Sequence, residues 1–269
     1  MLVNGAPGNT INAADRGLAY GDGVFRTLRM RAGRPVSWER QYAKLQQDCS
    51  ALNISCPPAL VLSGELQQLG KTQTEGVAKI IITRGVSARG YAPAAQSEAT
   101  RILSVTPYTA YPAEYAKQGI RMHVCEVRLG HQPMLAGIKH LNRLENVLAA
   151  SEWQEQDMPE GLLSDLSGNV ICGTRSNLFM SRGDILYTPE LSRCGVAGVQ
   201  RDRVMDWSRQ HDVTCKVADF GMEELMQADE IFLVNSVFGL WPVRELAGYR
   251  RTEHPMAWEI QEWLNDESH

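Results

Sequence analysis

One lysine of this chain lies in an apolar setting that suits covalent chemistry. Lys139 follows the small and apolar residues 135–138, and Leu141, Leu144 and Leu148 recur after it at helical spacing, which predicts a helix opening at the lysine. Partial burial disfavours the ammonium form and leaves a nucleophilic amine that can form a Schiff base. A solvated surface lysine is the alternative, and it is the more frequent case for any single lysine.

A glycine turn supplies the second candidate, a site for a phosphate group. Gly195–Gly198 runs directly into a helical pattern, so the backbone N–H groups of Val199 and Gln200 can face an anion. Ser236 ends a predicted strand beside a glycine-containing turn and could add a hydroxyl donor. An ordinary helix start and a strand-end serine are the alternatives for these residues.

Composition excludes several classes of protein. The chain has 269 residues, 43% of them hydrophobic, and a net charge of −4 without a basic, aromatic-rich patch, which argues against nucleic-acid binding. Six scattered cysteines without metal-ligand spacing predict no metal site and a reducing cytoplasmic environment. No apolar run is long enough to span a membrane, and the glycine motifs of nucleotide-binding sites are missing from the sequence.

Two α+β domains must position these residues. Strands and helices alternate through residues 1–107, which predicts a small N-terminal domain, and residues 108–119 contain turns that predict a linker. Residues 120–269 then form a larger C-terminal α+β domain that carries Lys139. The predicted strands meet mainly through hairpins, two of which turn at 167–169 and at 182–184. Two α+β lobes are therefore favoured over a doubly wound sheet.

Five segments, in order along the chain, resemble the fold type IV pyridoxal phosphate (PLP) enzymes. They are the lysine segment and Asp15–Phe25, Gly173–Phe179, Gly195–Arg201 and Asn235-Ser236 with Trp241–Val243. That group contains the branched-chain aminotransferases, the D-amino acid aminotransferases and the 4-amino-4-deoxychorismate lyases. The resemblance implies a D-amino acid aminotransferase-like fold, PLP as cofactor and a homodimer.

The resemblance also implies roles for single residues. Lys139 would form the Schiff base with PLP, and Asn142 of the same segment would contact the cofactor. Lys44 matches an arginine that binds the PLP phosphate in the family. A lysine ammonium group would thus replace a guanidinium that can make two parallel hydrogen bonds to the phosphate. Cys172 stands where the family carries a glutamate that keeps the pyridine nitrogen protonated. A thiol cannot supply that charge, so the cofactor should be a poorer electron sink.

Within the group, the lyases are the most similar. Residues 137–145 look like their lysine segment, because Leu144 stands where branched-chain aminotransferases usually have tyrosine. Arg84 and Arg89 lie in a loop similar to the lyase arginine loop and suit a substrate with two carboxylates, and Thr27 matches a threonine implicated in proton transfer. The resemblance therefore implies a lyase that converts 4-amino-4-deoxychorismate to 4-aminobenzoate and pyruvate in folate biosynthesis. The alternatives are a D-amino acid or branched-chain aminotransferase, and a degenerate PLP-binding protein without turnover.

Overall fold

The computed structural model describes residues 1–94, 97–155 and 157–266, which form two compact units. The first unit comprises Met1–Thr109 together with the short segment Ile138–Asn142. The second comprises Ala110–Gly137 and, from Arg143 onward, the rest of the described chain. Both contain helices and strands, so the predicted α+β class is confirmed.

The first unit is an antiparallel sheet covered by helices. Its elements are β1 (Leu2–Val3), β2 (Ala6–Pro7), α1 (Arg16–Tyr20), β3 (Gly23–Arg31), β4 (Arg34–Pro35), α2 (Trp38–Ala51), α3 (Ala59–Gly70), β5 (Gly76–Thr83) and β6 (Thr100–Pro107). The sheet order is β2-β1-β6-β5-β3-β4. Alternation along β3 buries Val24, Leu28 and Met30 in a core that Leu45 of α2 and Leu62 of α3 complete. The opposite face of β3 is left partly accessible.

The second unit is built on a larger, mixed sheet. Its elements are α4 (Ala113–Lys117), β7 (Ile120–Leu129), α5 (Leu144–Ala150), β8 (Glu160–Asp165), β9 (Val170–Gly173), β10 (Asn177–Arg182), β11 (Ile185–Pro189), α6 (Val199–Gln210), β12 (Thr214–Ala218), α7 (Met222–Met226), β13 (Glu230–Asn235), β14 (Gly239–Leu246), β15 (Tyr249–Arg250) and α8 (Pro255–Asn265). The main path of the sheet is β12-β11-β10-β13-β14-β7-β8-β9, with β15 paired to β14. Its core includes the stacked rings of Phe179 and Phe232. Among the described helices, none combines the length and apolar character needed to cross a membrane.

The observed units differ from the predicted division at two places. The predicted linker at 108–119 contains α4, and its Tyr111 and Tyr115 pack edge-on against Trp241, so most of it belongs to the second unit. Lys139, predicted to lie in the C-terminal domain, lies with its segment in the first unit. Both differences come from contacts that are distant in sequence, which local turn and helix signals do not encode.

Candidate active site

Lys139 lies in an extended segment that pairs with the start of β3. The N–H of Phe25 donates to the carbonyl oxygen of Lys139 at 2.9 Å, and the N–H of Leu141 donates to the carbonyl oxygen of Gly23 at 3.0 Å. The prediction that the lysine opens a helix is therefore wrong, since α5 begins only at Leu144. Pairing with β3 satisfies the backbone of the segment, and this tertiary contact overrides the helical spacing of the leucines.

The side chain of Lys139 points along the accessible face of β3. Its Nζ lies 4.5 Å from the ring centroid of Phe25. Thr27 follows Phe25 by two residues and so projects from the same face of the strand. Lys79 of β5 is directly opposite Thr27, and its Nζ is 5.4 Å from the same ring. Sequence reasoning missed Lys79, although a charged residue within the apolar run of β5 was a signal.

Helix α2 brings two further charged groups to the lysine segment. Asp48 is 5% exposed, pairs with Arg26 of β3, and its Oδ2 accepts the backbone N–H of Lys139 at 3.2 Å. Burial raises the pKa of Asp48, while the Arg26 guanidinium, the N–H of Lys139 and the charge of Lys44 act in the opposite direction. Lys44 lies one turn before Asp48 on the helix and is half-buried. The importance of Arg26 and Asp48 was not visible in the sequence, because their pairing joins residues on separate elements.

The two predicted substrate arginines have different environments. The guanidinium of Arg84 is held by Asp22, with Nε to Oδ2 at 2.7 Å, and by the carbonyl oxygens of Leu52 and Asn53 at 2.7 and 2.8 Å. Its donors therefore stabilise the turn in which it lies. Arg89 is exposed on the following loop. Contact of either arginine with the substrate stays a prediction.

Arg16, a buried residue of α1, anchors that loop. Its guanidinium donates to Asp22 Oδ2 at 2.7 Å, to the carbonyl oxygen of Gly90 at 3.0 Å and to that of Tyr91 at 2.7 Å. The ring of Tyr20 lies 5.4 Å from that of Tyr91. These contacts fix the main chain on the C-terminal side of Arg89.

Asn142, a predicted cofactor contact, supports a turn in the first unit. Its Nδ2 donates to the carbonyl oxygen of Gly21 at 3.2 Å. Gly21 has a φ of +64° at the end of α1, and a Cβ there would lie 2.5 Å from Asn142 Oδ1. The amide thus joins the lysine segment to the turn before β3, and a direct contact with the cofactor stays a prediction.

In the second unit, the predicted glycine turn leads into α6 as expected. Gly195 has a φ of +87° and Gly198 is the N-cap residue of the helix, which begins at Val199. Asn177 at the start of β10 clamps this turn, because its Nδ2 donates to the Val196 carbonyl oxygen at 2.7 Å and its Oδ1 accepts from the Gly198 N–H at 3.1 Å. A Cβ at position 198 would lie 2.3 Å from that oxygen. The turn therefore presents the N–H groups of the first turn of α6, which have no acceptor within the helix.

Ser236 lies at the same end of the sheet as the loop before Asn177. It follows the last residue of β13, and Val234 of that strand pairs with Asn177. Asn235 donates its amide to the carbonyl oxygen of Arg175 at 3.2 Å, which ties the two loops together. The structure thus brings Ser236 and Cys172, the residue paired with Asn177 on β9, to one region of the second unit.

Cys172 is a buried, neutral thiol. Burial raises its pKa to about 12, and the nearby Glu160 carboxylate adds to the shift. Glu160 is fully buried and accepts from the backbone N–H of Thr174 at 3.0 Å and from the Ser176 hydroxyl at 2.9 Å. Burial raises the pKa of Glu160, and these hydrogen bonds oppose the rise. The site therefore has a buried acid near Cys172, but this acid already accepts hydrogen bonds from the loop at 174–176.

A second polar cluster contains potential metal ligands. The ligand atoms of His131, Asp165 and Cys194 lie within 4.8 Å of one another. Asp165 already accepts from His131 at 3.0 Å and from the backbone and side chain of Asn169 at 2.9 and 3.1 Å, and Arg193 lies 3.8 Å away. A carboxylate with these donors and a neighbouring guanidinium is satisfied without a cation.

Comparison with known proteins identifies the family. The Amino-transferase class IV family matches residues 23–246, which is most of the chain. The chain belongs to this family. It is 34% identical to aminodeoxychorismate lyase from Vibrio harveyi over 242 residues, covering 90% of this chain and 89% of the relative. The resemblance predicted from the sequence segments is confirmed.

Two solved structures are similar to the chain. The crystal structure of 4-amino-4-deoxychorismate lyase from Pseudomonas aeruginosa is similar at 44% identity and a TM-score of 0.95, with 98% of each chain covered. The Escherichia coli branched-chain amino acid aminotransferase is similar in fold, with a TM-score of 0.84 at 23% identity over 94% of this chain and 88% of that one. The predicted fold type IV architecture is therefore confirmed.

Proposed function

We propose that this chain is a PLP-dependent lyase that converts 4-amino-4-deoxychorismate to 4-aminobenzoate and pyruvate, a step of folate biosynthesis. The observation that carries the proposal is the 44% identity, over 98% of both chains, to a structure of 4-amino-4-deoxychorismate lyase. The Vibrio harveyi relative has the same activity in its name.

The chain has residues whose chemistry suits the aldehyde and the phosphate of PLP. The amine of Lys139 would hold the cofactor covalently, and the main-chain hydrogen bonds of its segment fix the position of the Lys139 backbone. The N–H groups of Val199 and Gln200, with the hydroxyl of Ser236, would bind the phosphate, and Lys44 would add charge. When bound, PLP withdraws electrons from the substrate carbon that carries the amine.

Cys172 favours elimination over amino transfer. Its thiol stays protonated at neutral pH, because its pKa is raised to about 12 by burial, and it therefore offers no negative charge to a pyridine nitrogen. An aminotransferase needs strong electron withdrawal to stabilise a carbanion. An elimination that ends in an aromatic ring has its own driving force and tolerates a weaker electron sink.

The protons are moved by groups on the accessible face of β3. The freed amine of Lys139 removes the proton from C4 of the substrate as general base. The bond between C3 and the enolpyruvyl oxygen then breaks, and the leaving group takes up a proton to become pyruvate. Thr27, on the same face as Phe25, or Lys139 itself returns that proton. The loss of one proton and one enolpyruvate leaves the aromatic 4-aminobenzoate.

Cations of the first unit would bind the two substrate carboxylates. Arg89 is exposed on a loop that Arg16 anchors, and Lys79 lies opposite Thr27. Arg84 serves as a support for the loop, because Asp22 and two carbonyl oxygens hold its guanidinium. This division assigns Arg89 and Lys79 to substrate recognition.

We also propose that the enzyme is a cytoplasmic homodimer. All six cysteines are free thiols, which fits a reducing compartment. Helix α5 exposes Leu144, Val147 and Leu148 to 76, 57 and 60%, and an apolar helix face of this kind is typical of an interface between subunits. A second copy of the chain would cover it.

Product analysis tests the proposed activity. Purified protein with PLP and freshly made aminodeoxychorismate should release equal amounts of 4-aminobenzoate and pyruvate, and Lys139→Ala should release neither. Amino transfer from D-alanine or leucine to 2-oxoglutarate, without pyruvate from aminodeoxychorismate, would assign the chain to the aminotransferases instead. Retention of lyase turnover in Lys139→Ala would refute the role of the lysine.

A further inference from the structure

The lysine segment is joined to helix α2 by a buried carboxylate. Asp48 Oδ2 accepts both the guanidinium of Arg26 and the backbone N–H of Lys139, the latter at 3.2 Å. Arg26 and Asp48 are 3% and 5% exposed. The N–H of Lys139 thus has a charged acceptor within the protein, and hydrogen bonds to charged acceptors are stronger than those between neutral groups.

We propose that Asp48 is a positioning residue for Lys139, with Arg26 holding its carboxylate in place. This inference rests on the proposed role of Lys139. On one side of the lysine, Asp48 fixes the N–H, and on the other, Phe25 fixes the carbonyl oxygen at 2.9 Å. The Cα of Lys139 is therefore held between α2 and β3, and its amine lies over the Phe25 ring.

Stability alone does not account for the ion pair. Burying two charges costs desolvation energy, and apolar side chains of similar volume often replace such pairs without loss of stability. The surrounding core of Val24, Leu28 and Leu45 is apolar and would accept such a replacement. What an apolar residue at position 48 cannot provide is an acceptor for the N–H of Lys139.

Two double variants separate positioning from stability. Arg26→Met with Asp48→Asn removes the ion pair but keeps an oxygen that can accept the N–H of Lys139. Arg26→Met with Asp48→Leu removes the ion pair and the acceptor, with a side chain of similar shape. The readouts are the thermal midpoint, hydrogen exchange at the Lys139 amide in the protein without PLP, and the rate at which borohydride traps PLP on Lys139, located by peptide mapping.

Asp48→Asn buries an amide group beside an apolar residue 26, and Asp48→Leu leaves the N–H of Lys139 without this acceptor, so each form bears the cost of one buried polar group and the two thermal midpoints should be similar. The Asp48→Leu form should exchange the Lys139 amide about tenfold faster and be trapped about tenfold more slowly than the Asp48→Asn form, as expected for loss of one buried hydrogen bond. Equal exchange and trapping in the two forms would overturn the proposal. If the Leu form does not fold, Asp48→Glu, which keeps the charge but moves the acceptor, should show the same two changes, and wild-type values would overturn the proposal.

The same experiment distinguishes this inference from the proposed function. If borohydride traps PLP at another residue of the wild-type protein, the proposed role of Lys139 fails, whatever the exchange data show. If PLP is trapped at Lys139 at equal rates in both double variants, the catalytic role of the lysine stands and the positioning role of Asp48 fails.

Discussion

Asn177 offers a quantitative test of the phosphate site. Its amide makes two hydrogen bonds to the glycine turn, to the Val196 carbonyl oxygen at 2.7 Å and from the Gly198 N–H at 3.1 Å. Asn177→Ala removes both, so the free energy of unfolding of the protein without PLP should fall by about 2 kcal/mol. Asn177→Asp keeps the acceptor for Gly198 and loses the donor, at about 1 kcal/mol, and the N-terminus of α6 returns part of this by favouring a carboxylate.

The two variants should rank in the opposite order for PLP affinity: Asn177→Asp, the more stable of the two, should bind PLP more weakly. Asn177→Asp would place a carboxylate at the Gly198 N–H, next to the N–H groups of Val199 and Gln200 that would hold the phosphate. At an effective dielectric constant of about 20, nearby like charges repel each other by roughly 2 kcal/mol per unit of phosphate charge. The Kd for PLP should therefore rise at least about 30-fold in Asn177→Asp and less in Asn177→Ala. Added salt should reduce the defect of the Asp variant only, because it screens charge repulsion.

The assays are urea unfolding of the protein without PLP and absorbance titration with PLP at two salt concentrations. Asn177→Ala should be the less stable variant and Asn177→Asp the weaker PLP binder. If Asp and Ala variants bind PLP equally at low salt, the phosphate does not lie at the start of α6 and the reasoning is refuted.

Three further predictions concern other parts of the molecule. Cys172→Glu places a second carboxylate near buried Glu160, so the free energy of unfolding of the protein without PLP should fall by roughly 3 kcal/mol. PLP should raise the melting temperature of this variant more than that of wild type, and the amino-transfer activity should increase. Unchanged amino transfer would contradict the role given to the thiol. His254 is fully buried and burial lowers its pKa below 6.5, so the unfolded state binds its proton first and stability falls as the pH drops below 6.5, by at most about 1.4 kcal/mol per pH unit. In His254→Phe, the free energy of unfolding should depend less on pH between pH 7 and 5.5. An unchanged pH dependence would mean that other groups cause the loss of stability. Arg89→Ala should raise KM for aminodeoxychorismate at least tenfold with PLP affinity unchanged, whereas equal KM values would exclude Arg89 from substrate binding.

Local signals in the sequence predicted the elements that depend on local physics. The hairpins that turn at 167–169 and at 182–184 follow from glycine-containing turns between apolar runs, and both are present. The glycine turn before Val199 also needed only neighbouring residues, since a helix start and a φ of +87° at Gly195 are short-range features.

Contacts between distant residues explain what the sequence did not predict. The leucine spacing after Lys139 indicated a helix, but pairing with Gly23 and Phe25 keeps the segment extended. The support of Lys139 by Asp48 joins positions 91 residues apart and has no local pattern. The pairing of Arg84 with Asp22, also remote in sequence, has no local pattern either.

The measurement that tests the central claim most directly is the location of covalently bound PLP. Wild-type protein incubated with PLP, reduced with borohydride, digested and mapped by mass spectrometry should carry one cofactor per chain, on Lys139. Lys44→Ala should carry it at the same residue, with weaker loading. Label on Lys44, on Lys79 or spread over several lysines would contradict the assignment of Lys139 as the residue that holds the cofactor.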